Sequence, residues 1–87
     1  MKKHILKLNV RYASSKLEGK KPFEIRSNEG RDFKVGDRVR YEVVDDGDNV
    51  LESALSDKEF EIVFITEFMQ RAGWLVFAEK EVKKCRK

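Results

Sequence analysis

The chain has 87 residues, 40% of them apolar and 40% charged, with one cysteine, one histidine and a net charge of +3. This length allows one domain, 1–87, with a single small core. Lone Cys85 excludes an internal disulfide and a cysteine-rich zinc site, and no apolar stretch nears the roughly 20 residues that cross a bilayer, so a reduced, cytoplasmic setting without membrane contact is the expectation.

"KHILKLNV" (3–10) reads as a first strand, its apolar run too broken for a secretory leader. "RYASSKLE" (11–18) reads as a helix of about two turns, capped by Asn9 and closed by Gly19 at the C′ position, with Tyr12, Ala13 and Leu17 facing inward. "PFEIRS" (22–27) resumes a period of two, with Phe23 and Ile25 on one face and Glu24 and Arg26 on the other. Pro22 suits a strand start or an edge. Residues 27–37 form a loop pinned to the core by Phe33 and Val35.

"RVRYEVV" (38–44) is the next strand, with Val39, Tyr41 and Val43 on one face. The acidic stretch 45–57 is a hairpin connection or a mobile loop. "KEFEIVFITEF" (58–68) is the clearest strand. It sets Phe60, Ile62, Phe64, Thr66 and Phe68 on one side, and its apolar centre places it mid-sheet. Residues 69–73 turn the chain, 74–82 form the last strand, and the basic tail 83–87 adds loose phosphate contacts or frays. The order β-α-β-β-β-β defines an α+β, mainly β fold: a partly closed barrel of about five strands with one short helix.

Charge is unevenly spread. Residues 1–40 carry 12 Lys/Arg against 5 Asp/Glu, and residues 41–87 carry 7 against 11. A basic half beside an acidic one suits an anionic partner on one face; ordinary charge mixing is the bland alternative. Lys16, Lys20, Lys21 and Arg26 cluster in sequence, followed by Arg31, Lys34, Arg38 and Arg40. Tyr12, Phe23, Tyr41 and Trp74 are the aromatics that can stack on a base, although their in-register positions favour core packing.

Enzyme signatures are sparse. His4 is the lone histidine, read as a strand residue with a local partner, and no G-x-S-x-G elbow accompanies Ser14 and Ser15. "DDGDN" lacks EF-hand spacing, and the five glycines form no phosphate loop, so no metal or cofactor is expected. The sharpest constellation is "GKKPFEIR" (19–26), spaced G-x-K-x-x-E-x-R. Gly19 ends the helix, Lys21 sits on the connection, and Glu24 and Arg26 share a strand face about 6.6 Å apart. There the carboxylate can accept from a base's amino group or hold the lysine, and the guanidinium can take a phosphate.

"GKKPFEIR" resembles the signature of ASCH domains of the PUA-like superfamily. Together with "KHILKL", "RDFKVGD" and "GWLVF", the chain resembles DUF3850, a bacterial and phage family of unknown function, over about residues 3–80. The resemblance implies a pseudo-barrel with a helix beside a cleft, and RNA or a nucleotide-like molecule as ligand. Gly19, Lys21, Glu24 and Arg26 would line that cleft, with Asn28, Arg31 and Asp32 extending the match. The expected binding set is Lys16, Lys20, Lys21, Glu24, Arg26, Arg31 and Lys34.

The resemblance also carries an enzymatic alternative, a small amidohydrolase acting on an acylated nucleoside, with Lys21 as its catalytic residue and Glu24, or a later acid among Glu42, Glu59, Glu61 and Glu67, as its carboxylate. That relative has threonine where this chain has Glu24, and Pro22 replaces a usual threonine, so a binding module is preferred over an enzyme. A third reading gives the acidic segment 45–61 to a protein partner.

Overall fold

The computed structural model describes residues 1–28 and 30–82; the expectation for the tail 83–87 lies outside the described residues. Among these residues the chain forms strands β1 (Lys3–Asn9), β2 (Phe23–Ser27), β3 (Arg38–Val44), β4 (Phe60–Thr66) and β5 (Trp74–Glu81), with helix α1 (Val10–Leu17) and a short 3-10 turn, Ala54–Asp57. One curled half-barrel sheet runs β1-β3-β4-β5-β2, so β4 lies in the middle, as its apolar centre implied. β1 pairs with β3 in parallel, and the remaining pairs are antiparallel. The curl turns the two edge strands towards each other. Arg26 on β2 reaches across the seam and donates from Nη2 to the Lys7 carbonyl on β1 at 2.9 Å.

Alternation supplies most of the core. Leu6 and Leu8 of β1, Val39, Tyr41 and Val43 of β3, and Leu75 and Phe77 of β5 all point inward, joined by Ala13, Phe33 and Leu55. Asn9 caps α1 as expected, its side chain accepting from Arg11 N at 2.9 Å. Gly19 has φ 77°, the left-handed conformation that closes a helix without a Cβ penalty.

Several inward assignments change. The buried face of α1 carries Ala13 and Lys16, while Tyr12 and Leu17 are exposed, as is Val35. β2 is inverted: Glu24 is buried, and Phe23 and Ile25 face outward. The cause is its pairing with β5, which sets Glu24 opposite inward-facing Phe77 and Arg26 opposite Leu75. β4 contains a bulge between Ile62 and Phe64. The extra residue flips the alternation, turning Phe64 out and packing Ile65 on the core. Phe68 lies beyond the strand and is exposed.

The acidic segment folds back onto the chain's own cations. A Val44–Val50 bridge closes the connection. Asp48 pairs with Lys7 at 2.7 Å, Asp46 with Arg11 at 2.6 Å and Glu59 with Arg38 at 2.9 Å. The uneven charge of the two halves is therefore partly knitted together in space, by two exposed pairs that each contribute little stability and by the half-buried Arg38–Glu59 pair.

His4 has a distant partner and not a local one: its Nε2 donates to Asp37 Oδ2 at 2.8 Å, with both side chains buried. Asp37 also accepts from the backbone N–H of Lys2 at 3.0 Å and of Lys34 at 3.1 Å. Burial would push this carboxyl up, but the hydrogen bonds from Lys2, His4 and Lys34 outweigh it and hold it below the ordinary range. A carboxylate lowered in the fold stabilises above its unfolded range and loses that contribution as pH falls through its folded value. Asp37→Asn is expected to cost about 1–3 kcal/mol near neutrality and to flatten the fall in stability from about pH 5 to pH 2. Urea midpoints across that range measure it, and an acid limb of unchanged steepness would contradict the assignment.

Candidate functional site

Four elements converge on a buried cluster that holds two carboxylates. β2 carries Glu24 inward, α1 presents Lys16 from its inner face, β5 brings Glu79, and β3 brings Tyr41. Glu24 Oε1 accepts from Arg26 Nε at 3.1 Å and Nη2 at 2.9 Å. Its Oε2 receives Lys21 Nζ at 2.8 Å and Lys16 Nζ at 2.8 Å. Lys16, its side chain only 1% exposed, also donates to Glu79 Oε2 at 2.6 Å and to the Lys21 carbonyl at 3.1 Å. The Tyr41 hydroxyl donates to the other Glu79 oxygen, and its ring lies 4.7 Å from the Lys16 ammonium.

The electrostatics follow from burial and charge. Burial would raise the Glu24 carboxyl, but hydrogen bonds from Lys16 and Lys21 and the charges of Lys16 and Arg26 hold it below the ordinary range. Tyr41 is pushed far above the usual phenol range by burial, then by the charges of Glu79 and Glu24, so it stays a donor. Three cations face two carboxylates, which leaves one positive charge in excess. That excess sits towards solvent, because the Lys21 and Arg26 side chains are 22% and 24% exposed.

Those two cations line the seam between β1 and β2. A cavity of about 360 Å³ is bounded there by Tyr12, Lys21, Phe23 and Arg26. It continues past Arg26 into a second cavity of about 530 Å³ bounded by Arg31, Phe33 and Trp74. Lys7, Ile25 and Arg26 belong to both. A larger concavity, about 820 Å³, lies elsewhere, between β1–β3 and the 50–57 segment. Its charged lining residues, Arg40, Glu42, Glu52 and Asp57, are of mixed sign and none of them is buried, so the seam is the better candidate.

The expected site residues separate into groups. Lys21, Glu24 and Arg26 meet as the G-x-K-x-x-E-x-R spacing implied. Glu24 has both oxygens committed to cations and is an anchor, leaving none to accept from a base. Lys16 does not support phosphate at a surface; it is a buried partner of two carboxylates. Lys20 is exposed and pairs with Glu18 at 3.2 Å. Arg31 borders the second cavity. Lys34 stands apart from both cavities, 3.9 Å from Asp32. Among the described residues no three His, Cys, Asp or Glu side chains could hold a metal ion, and no helix is long and apolar enough to cross a membrane.

Glu79 and Tyr41 escaped the motif-based reading. The signal for Glu79 lies in "WLVFAEKEV": Leu75, Phe77 and Glu79 share one register face. For Lys16 the signal is its i, i+3 spacing from Ala13.

Lys16→Met is expected to cost about 3–5 kcal/mol, because it strands two buried carboxylates. Adding Glu79→Gln removes one stranded charge and is expected to restore part of the loss. Chemical denaturation of the single and double variants checks this; a Lys16→Met cost below about 1 kcal/mol would show that the cluster is not coupled in this way.

A comparison with curated proteins finds no significant match. The family model described as "Domain of unknown function (DUF3850)" matches residues 3–78, a span that includes the whole seam, the anchor Glu24 and all but the last three residues of β5. The chain is a member of the DUF3850 family.

Proposed function

We propose that the β1–β2 seam is a nucleic-acid binding site, with RNA as its first candidate ligand, and that the domain is a binding module and not an enzyme. One observation carries the reading: two solvent-facing cations, Lys21 and Arg26, are held by a single buried carboxylate beside the exposed rings of Tyr12 and Phe23. Prepositioned cations bind phosphate oxygens with little ordering cost, and exposed aromatic rings offer stacking surfaces to bases. Arg31, which has no ion-pair partner among the described residues, adds charge farther along the groove. The resemblance of "GKKPFEIR" to ASCH domains of the PUA-like superfamily points the same way.

Hydrolysis of an acylated nucleoside has less support. It needs a carboxylate free to shuttle a proton beside Lys21, whereas both Glu24 oxygens are engaged and Glu42 borders only the second cavity, away from Lys21. A protein partner for segment 45–61 is also less favoured, since Asp46, Asp48 and Glu59 already neutralise cations of the same chain.

Two or three phosphate contacts on a single strand correspond to a salt slope of about −1.4 to −2 in log K against log salt. Fluorescence anisotropy with a short labelled RNA is expected to give that slope. Lys21→Ala/Arg26→Ala should weaken binding at least about tenfold, while Lys34→Ala should leave it within about twofold. No binding at low salt, or a double variant that binds like the parent, would refute the proposal.

A further inference from the structure

Arg26 divides the seam into two compartments. On one side are Tyr12, Lys21 and Phe23; on the other are Arg31 and Trp74. At about 360 and 530 Å³, each falls within the range that houses a small ligand. Tyr12, Phe23 and Trp74 are 49%, 40% and 40% exposed, in contrast to the buried Phe33, Phe60 and Phe77. The domain thus places exposed rings at both ends of a groove whose middle is a guanidinium. Arg26 Nε and Nη2 are used within the protein, while Nη1 has no partner among the described residues.

The spacing of the rings is informative. Trp74 pairs in register with Ser27, four residues along β2 from Phe23. Four strand residues span about 13 Å. Successive nucleotides within a helical strand are only about 3.4 Å apart. Two neighbouring bases that reach both platforms must therefore be splayed, which a duplex does not allow and an unpaired strand does.

From this geometry we infer that the seam takes an unpaired dinucleotide step, its phosphodiester on Arg26, one base against Tyr12 and Phe23 and the next against Trp74. The inference rests on the nucleic-acid reading above. It also specifies weak base selectivity. Both Glu24 oxygens are occupied, and the other carboxylate bordering the seam, Glu42, lies only on the Trp74 side. Stacking and phosphate contacts dominate, and these tolerate any base.

Trp74 is the only tryptophan and so reports on its own compartment. The full chain is titrated at low salt with ApA, with AMP, with matched single strands of RNA and of DNA, and with the RNA strand annealed to its complement. Tryptophan emission and anisotropy are followed together. ApA and the single strands are expected to quench Trp74, with AMP and the duplex at least about tenfold weaker. Quenching by RNA, by DNA or by both supports the inference and identifies the sugar.

Trp74→Ala should weaken single-strand binding about tenfold, the loss of one stacked base, while Trp74→Phe, which keeps a ring, should stay within about threefold. Duplex binding as tight as single-strand binding overturns the inference. So does unchanged Trp74 emission while Lys21→Ala/Arg26→Ala still abolishes binding; in that case the nucleic-acid reading survives. No binding of any probe overturns both. The wild-type quenching titration decides the matter even if Trp74→Ala does not fold.

Discussion

The interaction on which the structure turns is the carboxylate of Glu24 buried among Lys16, Lys21 and Arg26. Desolvating a carboxylate costs several kcal/mol unless its lone pairs are met, and here each oxygen is met by two donor contacts. Those donors come from α1, from the connection after Gly19 and from β2 itself, so the requirement ties the helix to the edge strand. Lys16 passes the constraint on to Glu79, and Glu79 passes it to Tyr41 on β3. One charge thereby couples elements from opposite sides of the curl.

A well-packed apolar replacement for such a cluster is often neutral or stabilising. Stability is therefore a poor reason for a domain this small to spend interior space on it. What the arrangement does provide is two cations fixed at the mouth of a groove. Arg26 has a double role, bonding Glu24 with one edge of its guanidinium and reaching the Lys7 carbonyl across the seam. Among the described residues the half-barrel is drawn together there by a side chain and not by a ladder of backbone bonds, and the gap that remains is the proposed site.

Much of this was legible. The spacing of "GKKPFEIR" singled out Lys21, Glu24 and Arg26, and alternation located the strands and the inward face of β3. Alternation could not say which face of β2 was inside. A strand reading Phe-Glu-Ile-Arg in isolation buries its apolar side; only the counter-charges of Lys16, Lys21 and Arg26 make the opposite choice favourable. The bulge in β4 was hidden for a related reason. A two-residue period looks the same in sequence whether or not one position is skipped, and the pairing with β5 decides it.

What the sequence determined by itself was local: the order of elements, the Asn9 cap, the left-handed Gly19 and the spacing of the motif. These depend on backbone conformation and on neighbours a few residues away. The tertiary structure alone decided which charges are buried, because burial depends on what the curl of the sheet brings opposite. Lys16 and Glu79 are 63 residues apart in the chain yet share one hydrogen bond, and His4 and Asp37 meet across 33. The same curl left Tyr12, Phe23 and Trp74 in solvent along one groove, where their positions in the chain had pointed to the core.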